Sequence, residues 1–196
     1  MGITLTGFVR KRRRKKLEGI LKAGLPSLYQ TALSLCASTH DADDLLHDSC
    51  VKALRASDDA PVEDPAACQR WLRRILCNTF LDQYRHRQRS PFVDVQDADD
   101  NVIALTRSPV REPDHQFADD ALIRATHAAL LRLNPEARVA IVLYAQSGLD
   151  YQTIADIQGC PTGTVMSRIA RARAQLREQL GPRLGGHEEW DNDQTG

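Results

Sequence analysis

Apolar residues recur along this chain at spacings of three and four, and no segment alternates apolar with polar positions long enough to make a strand. The pattern predicts an all-α protein. Leu25, Leu28, Tyr29, Ala32, Leu33 and Cys36 form a first stripe. The segment HDADDLLHDSCVKALRA opens a second helix, with Asp41 as the expected N-cap. Asp43 and Asp44 then suit the positive end of the helix dipole, and Lys52 and Arg55 the negative end. A loop, SDDAPVEDP, follows. A third helix over roughly residues 66–88 carries a stripe of Leu72, Ile75, Leu76 and Phe80, with Trp71 beside it as a core residue, and ends in RHRQR.

Beyond Ser90 the periodicity fades, and Pro91, Pro109 and Pro113 punctuate a segment rich in acids, which reads as a flexible linker. The helical pattern returns near Ala118 with Leu122, Ala125, Ala129, Leu130 and Leu133. Asn134-Pro135 restarts the chain as an N-cap followed by proline at the first helical position, where its missing N–H costs nothing. That helix ends at Gly148, Asp150 caps a short helix through Gln158, and Gly159 supplies a left-handed turn residue. Thr162 is the expected cap of the last helix.

A short helix, a glycine turn and a longer basic helix make a helix-turn-helix. Ala155 is small enough for the second helix to cross closely, and Ile154, Val165 and Ile169 can pack between the two. The last helix has two sides: Val165, Ile169, Ala172 and Leu176 face a core, whereas Thr164, Arg168, Arg171 and Gln175 face outward, toward a DNA major groove in this arrangement.

Charge sharpens this reading. The 196 residues have no net charge, but its sign alternates along the chain. Acids outnumber bases eight to two from Asp41 to Asp64, and bases outnumber acids six to one from Arg70 to Arg89. From Asp94 to Asp120 the balance is eight acids to two bases, and from Thr162 to Leu180 four arginines stand against Glu178. Two basic helices are thus separated by an acidic connector, a distribution that a polyanion would sense. Five cysteines without a C-x-x-C pair argue against a disulfide framework and a zinc ribbon. The run RKRRRKK at Arg10 to Lys16 is followed by no apolar stretch of signal-peptide length, so the protein is expected in the cytoplasm, without membrane insertion.

Two stretches together resemble the extracytoplasmic-function sigma factors of the sigma-70 family, the small initiation subunits of bacterial RNA polymerase. They are DADDLLHDSCVKAL followed by WLRRILCNTFLDQYRHR, and LNPEARVAIVLYAQSGLDYQTIADIQGCPTGTVMSRIARARAQLRE. The resemblance implies two small helical domains: region 2 over residues 20–90 and region 4, with the helix-turn-helix, over residues 118–180. Residues 91–117 are then the linker; outside the match, residues 1–19 read as a solvated, flexible basic extension, with contact to upstream DNA, polymerase or anionic lipid as the alternatives, and residues 181–196, with Glu188, Glu189, Asp191 and Asp193, as a flexible tail.

The resemblance also assigns roles. Asp41, Asp43, Asp44, Leu45 and Asp48 match the acidic helix that docks on a coiled coil of the largest polymerase subunit, and an acidic face suits a basic partner. Asn78, Asp82, Arg85, Arg87 and Arg89 match the helix placed against the minus-10 promoter element, where asparagine can read a base edge and arginines neutralise phosphates. The loop from Ser57 to Pro65 matches the region that captures a base flipped from the opened strand. Thr162, Thr164, Ser167, Arg168 and Arg171 match the recognition helix for the minus-35 element. The chain departs from the family pattern at His47, usually glutamine, and at Gln158 and Cys160, usually aliphatic. The implied partners are core polymerase, promoter DNA as duplex and opened strand, and an anti-sigma factor.

Other classes have less support. Cys36 with His40, and His47 with Cys50, have spacings that could hold a metal, but both cysteines lie in register with apolar stripes. No metal, cofactor or small-molecule substrate is expected. No phosphate loop, H-E-x-x-H or nucleophile motif suggests an enzyme. A free-standing helix-turn-helix regulator would explain the second half alone.

Overall fold

The structure, a computed structural model, describes residues 3–89 and 116–181. Among them the chain forms helices and no strand: α1 (Ile3–Leu35), α2 (Thr39–Arg55), α3 (Pro65–Arg89), α4 (Gln116–Leu131), α5 (Pro135–Ser147), α6 (Tyr151–Gln158) and α7 (Thr162–Leu180). The expected acidic linker lies outside the described residues up to the start of α4, as does the expected tail beyond Gly181.

The helix ends show why these elements form. Asn134 accepts from the Glu136 N–H at 3.0 Å ahead of Pro135, and Asp150 accepts from the Thr153 N–H at 2.7 Å. Gly148 and Gly159 close α5 and α6 with φ of 61° and 62°, a conformation in which glycine has no Cβ to strain. At α3, Asp64 accepts from the Ala66 and Ala67 N–H groups at 2.9 and 3.1 Å.

Two expected caps are corrected. Ser38, not Asp41, is the N-cap of α2: its hydroxyl accepts from the Asp41 N–H at 3.1 Å, while Asp41 sits in the first turn and accepts from that hydroxyl at 3.0 Å. The serine thus satisfies one free N–H of the first turn, and its hydroxyl is oriented by the acid three residues on. Pro161 takes the N-cap position of α7 without a side-chain bond, and the Thr162 hydroxyl instead reaches back to Gln152 Oε1 at 2.7 Å.

The expected flexible extension is also corrected, because it is helical from Ile3 and continuous with the rest of α1. Leu17 is 0% exposed, and with Leu21 and Leu28 it forms one buried stripe, so the basic run is carried on a helix anchored by its own leucines. Further along, Gly24 lets α3 approach closely. A Cβ there would displace the amide of Gln69, which donates to the Ile20 carbonyl at 3.0 Å.

Helices α1, α2 and α3 pack together, and α5, α6 and α7 form a second group with α4 against α7. The two groups share one apolar core rather than standing apart, with α1 and α3 touching α4, α5 and α6. Two buried polar residues of the second group complete the end of α1. Arg138, 6% exposed, donates to the Leu35 carbonyl at 2.7 Å, to Leu131 at 2.6 Å and to Leu133 at 3.3 Å, and lies 5.7 Å from the Phe80 ring centroid. His127, also 6% exposed, donates through Nε2 to the carbonyls of Leu33 at 3.1 Å and Cys36 at 2.9 Å. The last carbonyls of a helix lack partners within it, and here two side chains from the other half supply them.

Candidate nucleic-acid interface

The helix-turn-helix is built as its sequence suggests. Ile154, Ala155, Val165 and Ile169 are buried between α6 and α7, and Ala172 continues the inner face. On the outside, Ser167, Arg171 and Gln175 are exposed, while Thr162, Thr164 and Arg168 are half-buried on the flank toward α6. Arg168 does not project freely: its Nη1 donates to Gln158 Oε1 at 2.7 Å and lies 3.4 Å from Cys160 Sγ. The two departures from the family pattern thus hold Arg168. Arg171 lies along its own helix, donating to the Ser167 carbonyl at 3.1 Å, and Ser167 donates to the Thr164 carbonyl at 2.9 Å. Arg173 is spent on packing, 4.9 Å over the Tyr144 ring.

Met166 lies outside the expected set, yet it is 53% exposed, on a flank of α7 shared with exposed Gly163 and Ala170. Its signal is the exposed row Gly163, Met166, Ala170, Ala174, in which the methionine stands among small residues.

On α3, Asn78, Asp82, Arg85 and Arg89 are all exposed, and their spacing of four, three and four puts them on one face. Exposed Arg74, one turn before Asn78, extends that face and was not singled out from the sequence. Arg85 is shared between Asp82 at 3.7 Å and Glu136, at the start of α5, at 3.5 Å. Arg87 departs from the face: it is half-buried and paired with Asp41 at 3.2 Å. Trp71 packs against the core, as expected.

Of the acidic set on α2, Asp43, Asp44 and Asp48 are exposed together with His47. Asp48 accepts from Gln83 at 2.9 Å, and His40 lies 3.6 Å from Asp44. Leu45 must be withdrawn from this surface, since it is 0% exposed and belongs to the core. Asp41 is engaged by Ser38 and Arg87. Cys36 is buried and its thiol is pushed up to about 12, first by desolvation and then by Asp41. It therefore behaves as a small hydrophobe, and Cys77, also pushed up to about 12 by burial, does the same.

The loop between α2 and α3 is held by the basic run of α1. Arg10 forms a two-point pair with Asp58, Arg13 donates to the Asp58 and Ala60 carbonyls at 3.3 and 2.8 Å, and Lys16 pairs with Glu63. Hydrogen bonds from Arg10 and Lys16 hold the Asp58 and Glu63 carboxyls below their ordinary values.

An acidic helix face beside a basic one, joined to a helix-turn-helix, defines a two-module DNA-binding protein. Residues 20–90 match the family model of sigma-70 region 2, and residues 123–176 that of sigma-70, region 4. The chain is 36% identical over 153 residues to the ECF RNA polymerase sigma factor SigE of Mycolicibacterium smegmatis, covering 78% of this chain and 57% of that protein. It is 33% identical over 173 residues to the ECF RNA polymerase sigma factor EcfG of Rhodopseudomonas palustris, covering 88% of each. Among solved structures, the sigma factor RpoE of Bartonella quintana, determined with the anti-sigma factor NepR, matches with a TM-score of 0.67 at 31% identity over 85% of this chain and 98% of that one. The chain belongs to the ECF RNA polymerase sigma factors of the sigma-70 family.

Proposed function

We propose that this sigma factor divides its work among the faces described above. The exposed carboxylates Asp43, Asp44 and Asp48 dock on a basic surface of core polymerase. Asn78, Asp82, Arg85 and Arg89 meet the minus-10 element, with Arg74 at the edge, while Arg87 secures α3 to α2 through Asp41. The loop of residues 57–65 receives a base from the opened strand. Thr162, Thr164, Ser167, Arg168 and Arg171 meet the minus-35 element in the major groove, joined by Met166. The role is recognition and strand opening, with the bond-making chemistry left to polymerase.

The observation that carries this reading is the juxtaposition of oppositely charged faces on α2 and α3. A regulator acting alone gains nothing from three exposed carboxylates beside its DNA-binding helix, because they repel phosphate. A subunit that must hold a protein and a nucleic acid at once uses both signs. An anti-sigma factor is the further partner we infer, from the likeness to a sigma factor solved with one. The packing of the two halves fits such control, since Arg85 of α3 is shared with Glu136 of the other half.

Run-off transcription from a promoter dependent on this protein tests the reading. Asp44→Lys with Asp48→Lys should reduce core affinity at least tenfold in a competition assay, with transcription lost in proportion. Unchanged core affinity with both reversals present would remove the docking assignment.

A further inference from the structure

The basic run of α1 lies outside the residues matched by the region 2 family model, which begins at residue 20. It nevertheless sits against the loop to which base capture is assigned. We propose that the outward side of this run, Lys11, Arg12 and Lys15, binds the sugar–phosphate backbone of the opened promoter strand next to the base held by the loop. The inference rests on the sigma-factor reading and adds a strand-binding surface to it.

Geometry divides the seven basic residues by task. Arg10, Arg13 and Lys16 recur every three residues on the side of α1 that touches the loop, and each is bound there. Arg14 pairs with Glu18 at 3.3 Å. Lys11 and Lys15 lie on the side of α1 opposite the loop contacts and Arg12 on the flank beside Lys16, near Glu63; all three are exposed and make no ion pair or hydrogen bond among the described residues. Lys11 and Lys15 are one helical turn apart, about 6 Å, a span over which two cations can meet neighbouring phosphates. Phe8, 74% exposed, lies on the same side one turn before Arg12. Basic side chains flanking an exposed aromatic are the combination that grips single strands, phosphate by charge and base by stacking.

The loop itself is acidic. Asp58, Asp59, Glu63 and Asp64 would repel a strand delivering a base. Arg10 and Lys16 pair two of these acids, and Asp64 is occupied in capping α3. Arg10 and Lys16 are paired with loop acids and Arg14 with Glu18, so against the four loop acids and Glu18 the seven basic residues leave an excess of two positive charges where the loop alone is negative. A lipid surface is a poorer fit, because an interfacial helix needs a continuous apolar face and the one on α1, Leu17, Leu21 and Leu28, is buried in the core.

The test uses holoenzyme assembled from core polymerase and the full chain, titrated onto labelled promoter DNA with a pre-opened mismatch bubble over the minus-10 region. Binding is measured between about 50 and 200 mM salt. Three lost single-strand phosphate contacts, at roughly 0.7 each, should make the plot of log K against log salt shallower by about two in Lys11→Ala, Arg12→Ala, Lys15→Ala. Lys11→Arg with Lys15→Arg should keep the parent slope, and core affinity should be unchanged in both. Equal slopes for parent and triple variant overturn the proposal. So does a fall in core affinity at equal slopes, which assigns the run to polymerase, or loss of binding to phosphatidylserine-containing vesicles at equal slopes, which assigns it to lipid. If the parent chain gains no promoter binding from core, the sigma-factor reading itself fails, and this proposal with it.

Discussion

Arg168 Nη1 donates to Gln158 Oε1 at 2.7 Å, and Gln158 Nε2 donates in turn to the Glu136 carbonyl at 2.8 Å. One glutamine therefore links the start of α5, the end of α6 and the recognition helix. With Nη1 held, Nε and Nη2 of Arg168 remain as a free edge, and two such donors suffice for O6 and N7 of guanine. A residue that departs from the aliphatic family pattern thus supports the arginine proposed to read a base.

Gln158→Leu should accordingly blunt, without abolishing, discrimination at one base pair of the upstream element. We expect a loss of about 1 kcal/mol, against roughly 1–3 kcal/mol for Arg168→Ala. Run-off transcription over a panel of single substitutions in the minus-35 element measures both. Identical preference profiles for parent and Gln158→Leu would show that Arg168 needs no such support.

Arg138 should be the strongest single tie between the halves. Its guanidinium serves carbonyls of α1 and of the α4–α5 connection, and burial pushes its pKa down from the usual arginine value without removing the charge. Arg138→Ala leaves those buried carbonyls unpaired, so urea denaturation should show a loss of roughly 2–4 kcal/mol. Arg138→Lys should recover only part of it, because an ammonium lacks the planar fork that reaches three carbonyls. A loss below about 0.5 kcal/mol, typical of exposed sites, would mean that the halves do not depend on this residue.

How much of this was legible depended on how local each feature is. Asn134-Pro135, Gly148, Asp150 and Gly159 announce their helix ends through their own side chains or backbone freedom, and all stand where the sequence puts them. Ser38 is less legible because the acids after it draw the expected cap downstream, although serine followed three residues later by aspartate is itself a helix-start signature. The charge of the 10–16 run hid Leu17 and Leu21, whose spacing with Leu28 carries the stripe upstream. Leu45 was assigned by family position, but its burial follows from the helical pattern with Ala42 and Ser49. The union of the two halves had no local signal. Arg138 and His127 are polar in sequence, and what buries them is the end of α1, about a hundred residues away.

His127 gives that union a pH dependence. Burial lowers its pKa from 6.5, with Arg138 adding repulsion, although its bonds to the Cys36 and Leu33 carbonyls pull the other way. The folded state thus favours neutral imidazole, and the unfolded state binds more protons just below pH 6.5. Stability from this group is fully present above pH 6.5 and is lost as pH falls through that value toward the lower folded pKa. Urea midpoints between about pH 8 and 5 should fall more steeply for the parent than for His127→Gln. Parallel curves would mean that His127 does not titrate on unfolding, whatever the other histidines contribute.

The packing of the halves also bears on DNA binding by the free protein. Arg85 is paired with Glu136 and Arg87 with Asp41, so arginines of α3 already have internal acidic partners. Exposed Asp43, Asp44 and Asp48 add a field that repels phosphate from the neighbouring helix. An exposed pair such as Arg85–Glu136 is worth at most about 1 kcal/mol, so it alone does not block binding. The larger constraint is geometric: with Arg138 and His127 fastened to the end of α1, α3 and α7 are held at one spacing, and two sites help each other only when their separation matches the modules. Polymerase that engages the acidic face and rearranges the halves would remove both obstacles. The protein alone should therefore bind duplex promoter DNA weakly and with steep salt dependence, gaining specific binding and unpaired bases only with core enzyme. A titration at physiological salt, with and without core and with a fluorescent base analogue in the minus-10 element, measures both. Arg138→Ala should raise binding by the free protein, provided the fraction folded is checked by circular dichroism. Nanomolar sequence-specific binding by the parent alone, with no gain on adding core, would overturn this account of the packed halves.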